Sequence, residues 1–261
     1  MKIGIGTVQF GLNYGISNFS GKVSEKVARK ILYTGFSSSI DTIDTANNYG
    51  ESERVLGRLV LNKTKIITKI SISSKETSNL ELSIKKKIKN SLDRLKLKSL
   101  YGVLIHNPKL LKKYHYEATN KIFKNFKETG IIKKFGISVY NPKDLNEIIK
   151  HLSIDIIQLP INLFDRRMEK SGWLKKLKYK GIEIHARSIF LQGLLLLPKD
   201  KIPKKFLRYK KIFKDWYNWL DVHHDVNSKE ACISYIKSLS EIDKIIIGFN
   251  NVSEIKEIIK I

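Results

Sequence analysis

Asp44, Tyr49, Lys69 and His106 are the residues of this sequence whose types suit acid–base chemistry at a carbonyl group. A lysine cation held by an aspartate beside a phenol lowers the pKa of that phenol from its reference near ~10, which makes Tyr49 a candidate general acid. A positioned histidine hydrogen-bonds and orients a carbonyl oxygen, and donors already in place stabilise the developing alkoxide. Taken singly, each residue has a plainer role. Asp44 could cap loop hydrogen bonds, Tyr49 could pack a loop before Gly50, Lys69 is one lysine of many, and His106 could be a satisfied histidine. Their positions set them apart: Asp44 ends Ile43-Asp44, Lys69 ends Thr68-Lys69, His106 ends Ile105-His106, and Tyr49 follows close behind Asp44.

Three of these sit where a β-type run stops, and Tyr49 follows the first of them. Runs at 2–5, 40–44, 65–70, 101–106, 134–138, 154–160, 182–187 and 244–248 read as strands. Several, such as 154–159, are nearly continuous apolar stretches, as parallel strands covered on both sides require. Segments 24–34, 51–60, 79–95, 116–129, 142–151, 167–180, 229–239 and 253–261 between them read as helices, with Asn141-Pro142 as a start signal and Gly130 and Gly181 as stops. Alternating βα units predict an α/β fold, first a single-domain (β/α)8 TIM barrel over 1–261, with an open doubly wound sheet as the alternative of equal local pattern. A barrel places its site at the C-terminal ends of the strands, so the four residues share one mouth. An extra helix is expected over 204–220, where Phe206, Phe213, Trp216, Tyr217 and Trp219 read as core.

The 261 residues are 42% hydrophobic and 28% charged, which suits a globular chain and excludes a disordered one. The single cysteine, Cys232, makes no internal disulfide, and the first residues lack the apolar stretch of a signal peptide, so a cytoplasmic protein is expected. No run approaches the length that spans a bilayer; 182–197 is the most apolar region, and His185, Arg187 and Gln192 interrupt it. The net charge of +24 suggests an acidic partner at face value. Lysines scattered through most predicted helices read instead as a compositional bias, because nucleic-acid surfaces cluster Lys and Arg on one face. No specific nucleic-acid or membrane partner is expected, and the chain reads as a monomer or homo-oligomer.

The stretch Asp44-Thr45-Ala46-Asn47-Asn48-Tyr49-Gly50, followed by Ser52-Glu53 and Leu56-Gly57, resembles the aldo-keto reductase superfamily. Thr68-Lys69, His106-Asn107-Pro108 and the opening Gly6-Thr7-Val8-Gln9-Phe10-Gly11 match the same family, and the likeness runs over essentially the whole chain. The resemblance implies a catalytic tetrad of Asp44, Tyr49, Lys69 and His106 and a nicotinamide cofactor, NADP(H) favoured over NAD(H). It implies that Gly6, Thr7 and Asp44 lie along the cofactor and that Ser138 and Gln158 bind the carboxamide. Arg187, Ser188, Gln192, Gly193 and Leu194 would wrap the pyrophosphate, and Gly248, Asn250, Asn251 and Glu257 would hold the adenosine phosphate. Arg187 stands where an aromatic commonly stacks on the nicotinamide, and a planar guanidinium stacks too. The basic residue often found near Asn250 is missing, and Ile258 replaces an Asn often found after the Glu. The implied reaction is reduction of an aldehyde or ketone, with an open pocket that suits a polar or sugar-like carbonyl because the chain stops at the eighth helix.

Other readings have less behind them. A redox-sensing, cofactor-binding regulatory subunit without turnover would use the same barrel. Gly4-Ile5-Gly6 follows a strand as a dinucleotide fingerprint does, but no helix pattern begins there and the segment through Gly21 reads as loop. His223-His224-Asp225 lacks zinc-ligand spacing, so no metal is expected.

Overall fold

The computed structural model describes residues 2–59, 64–111 and 113–261. Strands β1 (Lys2–Gly6), β2 (Thr42–Asp44), β3 (Lys65–Ile70), β4 (Leu100–Ile105), β5 (Ile132–Ser138), β6 (Ile156–Pro160), β7 (Glu183–Arg187) and β8 (Lys244–Gly248) run parallel and close in that order. Pairing of β8 with β1 over Lys2↔Lys244 to Gly6↔Gly248 completes the barrel and removes the open-sheet alternative.

Helices α1 (Glu25–Ser37), α2 (Ser52–Arg58), α3 (Leu80–Leu95), α4 (Tyr116–Glu128), α5 (Leu145–His151), α6 (Trp173–Tyr179), α7 (Lys210–Val222), α8 (Ser228–Lys237) and α9 (Val252–Lys260) surround it. In α3 the apolar spacing is helical: Leu80, Ile84, Ile88 and Leu95 are buried, and the helix stops at Lys96 in the left-handed region, φ 54°. Outward-facing strand residues such as Ile43, Ile66, Val103, Phe135, Ile157 and Ile184 pack with these helix faces into one continuous core. Each such side chain contributes on the order of 1.5–3 kcal/mol on burial. Inside the barrel, Ile67, Leu104 and Ile156 form a separate apolar layer.

Element boundaries depart from the sequence pattern where local backbone or packing decides. The helix expected over 167–180 breaks into a turn at Arg167–Lys170 and α6, because Gly172 between them takes φ 74°. Segment 204–220 is a 3-10 stretch, Lys204–Tyr209, leading into α7. Phe213 and Trp216 of that segment are core, whereas Trp219 is exposed. The loop expected after β1 contains a helical turn, Val8–Gly11. The end of the helix expected over 51–60 lies outside the described residues at Val60, and α2 closes at Arg58. Among the described residues no helix is long and apolar enough to cross a membrane.

Candidate active site and dinucleotide cavity

Side chains alternate across a strand, so residues two beyond the inner apolar layer also face the barrel axis, one step nearer its mouth. Ile67 is followed in this way by Lys69, Leu104 by His106, Ile156 by Gln158 and Thr42 by Asp44. Register pairs set further polar positions beside them: Gly6 pairs with Asp44, Ser138 with Gln158, and Pro160 with Arg187. A polar ring therefore caps an apolar floor.

Lys69 is fully buried, and its ammonium donates to Asp44 Oδ2 at 2.5 Å, to the Thr45 carbonyl at 3.2 Å and to Tyr49 Oη at 3.3 Å. Burial alone would lower its pKa, but the Asp44 carboxylate and Tyr49 outweigh that and hold it above the ordinary lysine value. Asp44 is fixed on its other side by Gln158, whose Nε2 donates to Oδ1 at 2.7 Å. The two charges thus have defined partners in a buried site, the condition under which an ion pair keeps its geometry.

Tyr49 lies in a loop whose position depends on close backbone contacts. A Cβ on Gly11 would stand 1.7 Å from the Tyr49 carbonyl oxygen, and Gly50 takes φ 55° against Gly11. Ser52 ties the same loop to β1 and β2, with its hydroxyl 2.8 Å from Thr7 Oγ1 and 3.1 Å from Thr45 Oγ1. Behind it Glu53 is buried, accepting from Thr68 at 2.6 Å and from the Arg94 guanidinium at 2.6 Å. Gly11→Ala should push the loop outward, and a misplacement of about 1 Å lowers turnover by about a hundredfold. Steady-state kinetics and thermal melting of that variant check it; wild-type kcat would contradict the packing.

His106 faces Tyr49 edge to face, with ring centroids 6.1 Å apart. Burial, helped by the nearby Lys69 charge, pushes its pKa down to about 4, so the imidazole is neutral at working pH. A folded-state value below the unfolded one near ~6.5 means its contribution to stability is present above ~6.5 and lost as pH falls toward about 4. Urea midpoints of wild type and His106→Asn should therefore converge on acidification through that window; parallel curves would show that His106 does not titrate there.

A cavity of about 340 Å³ runs from Tyr49 and His106 along the strand ends to α9. Of the residues singled out in the sequence, Gly6, Thr7, Asp44, Tyr49, His106, Gln158, Arg187, Ser188, Gln192, Gly193, Gly248 and Asn250 line it. Lys69 and Ser138 are fully buried beside it. Leu194, Asn251 and Glu257 are not in its wall. Leu194 packs with Leu197 and Phe213, Asn251 caps α9, and Glu257 forms an ion pair with Lys229. No role is legible beforehand for Tyr14, Tyr140, Lys229 or Glu254, which do line the cavity. Tyr140 follows Ser138 by two, so the strand alternation extended past β5 would have signalled it.

In the wall and just behind it are polar atoms that the protein itself leaves without a partner. Ser138 Oγ, Gln158 Oε1, Asn250 Oδ1 and Gln9 Oε1 are buried without a hydrogen-bond partner. A Cβ on Gly248 would meet Gln9 Oε1 at 2.4 Å, so a glycine there lets the Gln9 amide lie against the end of β8. After β7, Ser188 (φ 57°), Leu191 (φ 50°) and Gln192 (φ 58°) sit in the left-handed region without being glycine. This strain is held by Asn162 Nδ2 donating to the Ser188 carbonyl at 3.1 Å and by Ile16 N donating to the Gln192 carbonyl at 2.7 Å. Strained backbone of this kind concentrates at ligand clamps. The Arg187 guanidinium stacks 4.2 Å above the Tyr140 ring, forming one lip of the mouth.

The sequence profile of the Aldo/keto reductase family matches residues 2–261. The uncharacterized oxidoreductase YqkF of Bacillus subtilis (strain 168) is 26% identical over 93% of this chain and 84% of its own length. In fold, an aldo-keto reductase from Bacillus halodurans in its holo form superposes with TM-score 0.74 at 20% identity, over 99% of this chain and 85% of that one. A glycerol dehydrogenase from Gluconobacter oxydans superposes with TM-score 0.76 at 19% identity, over 98% and 85%. At these identities the structural likeness speaks for the barrel alone.

Proposed function

Because the chain belongs to the aldo/keto reductase family, and so is an NAD(P)H-dependent oxidoreductase of carbonyl compounds, we propose that Tyr49, Lys69, Asp44 and His106 carry out the reduction. The observation that carries this reading is the buried chain of contacts from Gln158 through Asp44 and Lys69 to the Tyr49 hydroxyl, opening on a cavity beside a neutral histidine.

The carbonyl oxygen of the substrate sits between Tyr49 Oη and the His106 imidazole. The reduced dinucleotide supplies the hydride when bound. Tyr49 gives its proton to the oxygen as negative charge gathers there, and the Lys69 ammonium, 3.3 Å away, stabilises the charge left on the phenol oxygen. Asp44 keeps Lys69 protonated and aimed. His106, being neutral, orients the carbonyl by a hydrogen bond without competing as the acid. Oxidation of an alcohol uses the same groups in reverse.

The dinucleotide fits the unpartnered groups in and behind the wall. Ser138 Oγ and Gln158 Oε1 would bind the carboxamide, a group with both donors and an acceptor, and so set the ring face. The strained loop at Ser188 to Gly193 would lie along the pyrophosphate, and Gly6, Thr7 and Gly248 would let it approach the backbone. Arg187, Tyr14 and Tyr140 at the mouth favour an aldehyde or ketone with polar, sugar-like substituents. The resemblance inclines toward NADP(H), but the choice of cofactor turns on the far end of the cavity.

Purified protein mixed with NADH or NADPH and a panel of simple, aromatic and hydroxylated carbonyls should oxidise at least one cofactor. Binding of cofactor with no consumption across the panel would overturn the catalytic reading.

A further inference from the structure

We infer that the far end of the cavity selects a dinucleotide with a free 2′-hydroxyl on its adenosine ribose, NAD(H) rather than NADP(H). The inference rests on the reading of the cavity as the dinucleotide site, with Tyr49 and His106 marking its nicotinamide end. The other end is walled by Lys229, Asn250, Glu254 and Ile258.

A 2′-phosphate brings negative charge and acceptor oxygens, whereas a ribose diol brings hydroxyl donors. The start of α9 is where a phosphate would be drawn, by its free N–H groups and helix dipole. Here an anion of the protein lies beside that place, held by the residues just ahead of the helix. Glu254 Oε2 accepts from the backbone N–H of Asn250 at 2.8 Å, Oε1 accepts from Asn251 Nδ2 at 3.2 Å, and Asn250 Nδ2 is shared between both oxygens at 3.3 Å. Of the first-turn donors of α9, Glu254 N is capped by Asn251 Oδ1 at 3.0 Å.

All the donors to Glu254 are neutral, and among the described residues no cation forms a salt bridge with it. Its charge is therefore held by neutral donors alone on the cavity wall. With Asn250 Nδ2 turned to the carboxylate, Oδ1 points the other way, where it is buried and unpartnered, an acceptor in want of a donor. Lys229, the cation on this part of the wall, is ion-paired with Glu257. Acceptors with one unpaired negative charge fit a diol and repel a phosphate.

Calorimetric titration of the full chain with NADH and with NADPH tests this, with 5′-AMP and adenosine 2′,5′-bisphosphate as probes of the adenosine end alone. NADH and 5′-AMP should bind tighter than their phosphorylated counterparts by on the order of a hundredfold, since juxtaposed like charges cost that much or more. Glu254→Gln and Asn250→Arg should each narrow the ratio by about tenfold or more. Wild-type protein that binds NADPH as tightly as NADH overturns the inference. So does an unchanged ratio in Glu254→Gln at wild-type melting temperature; should that variant unfold, the wild-type probe pair still decides. If folded protein bound neither dinucleotide, the cavity reading itself would fall, which is a distinct result from the wrong preference.

Discussion

Tyr49→Phe should lower kcat for carbonyl reduction by about a thousandfold, within the range that a lost general acid costs, while leaving cofactor affinity and melting temperature unchanged. The hydroxyl is a recipient of the Lys69 ammonium at 3.3 Å, and Lys69 keeps Asp44 and the Thr45 carbonyl as partners when it is gone. The ring remains to fill the same space beside His106. Kinetics with a reactive aldehyde, paired with a cofactor titration, separates this from a packing effect: a merely structural tyrosine would lose affinity or stability along with rate.

Lys69→Met should damage both fold and activity. The ammonium is fully buried, and without it the Asp44 carboxylate keeps Gln158 as a side-chain donor but has no cation. Breaking one side of a buried pair costs about 3–5 kcal/mol, and the loss of charge beside Tyr49 should remove about a thousandfold in kcat as well. Adding Asp44→Asn removes the stranded charge, so the double variant should regain much of the stability and none of the activity. Urea unfolding and steady-state kinetics on the single and double variants read the two effects apart. Recovery of activity in the double variant would contradict the role given to Lys69.

Much of the site was legible because a strand's alternation is simple. Once Lys65–Ile70 and the run ending at His106 are read as strands, Lys69 and His106 must face inward above Ile67 and Leu104, and parallel pairing of Asp44 with Ile67 and of Lys69 with Leu104 gathers them at one end of the barrel. Helices resist that economy. Glu254 and Glu257 lie one turn apart on α9, and sequence spacing does not say which reaches the cavity; Asn250 and Asn251 hold the first, and Lys229 holds the second outside. Asn251 followed by Glu254 looks like an ordinary helix start, and it also serves as one. Leu194 is fixed by Phe213 across a long connection, a contact that no local pattern announces. The break at Gly172 is a glycine in the left-handed region, and an isolated glycine in a helical pattern is usually tolerated. The surplus of lysines concealed Lys229 and nearly concealed Lys69, because in a chain with net charge +24 a lysine carries little information until its burial is known.

Reduction of an aldehyde with cofactor deuterated at the transferring C4 position, followed by mass spectrometry of the alcohol, tests the assignment of the site most directly. Wild-type protein should place one deuterium on the carbinol carbon, and Tyr49→Phe, with the cofactor bound, should form almost no product. Product without deuterium, or labelled product formed as fast by Tyr49→Phe as by wild type, would contradict it.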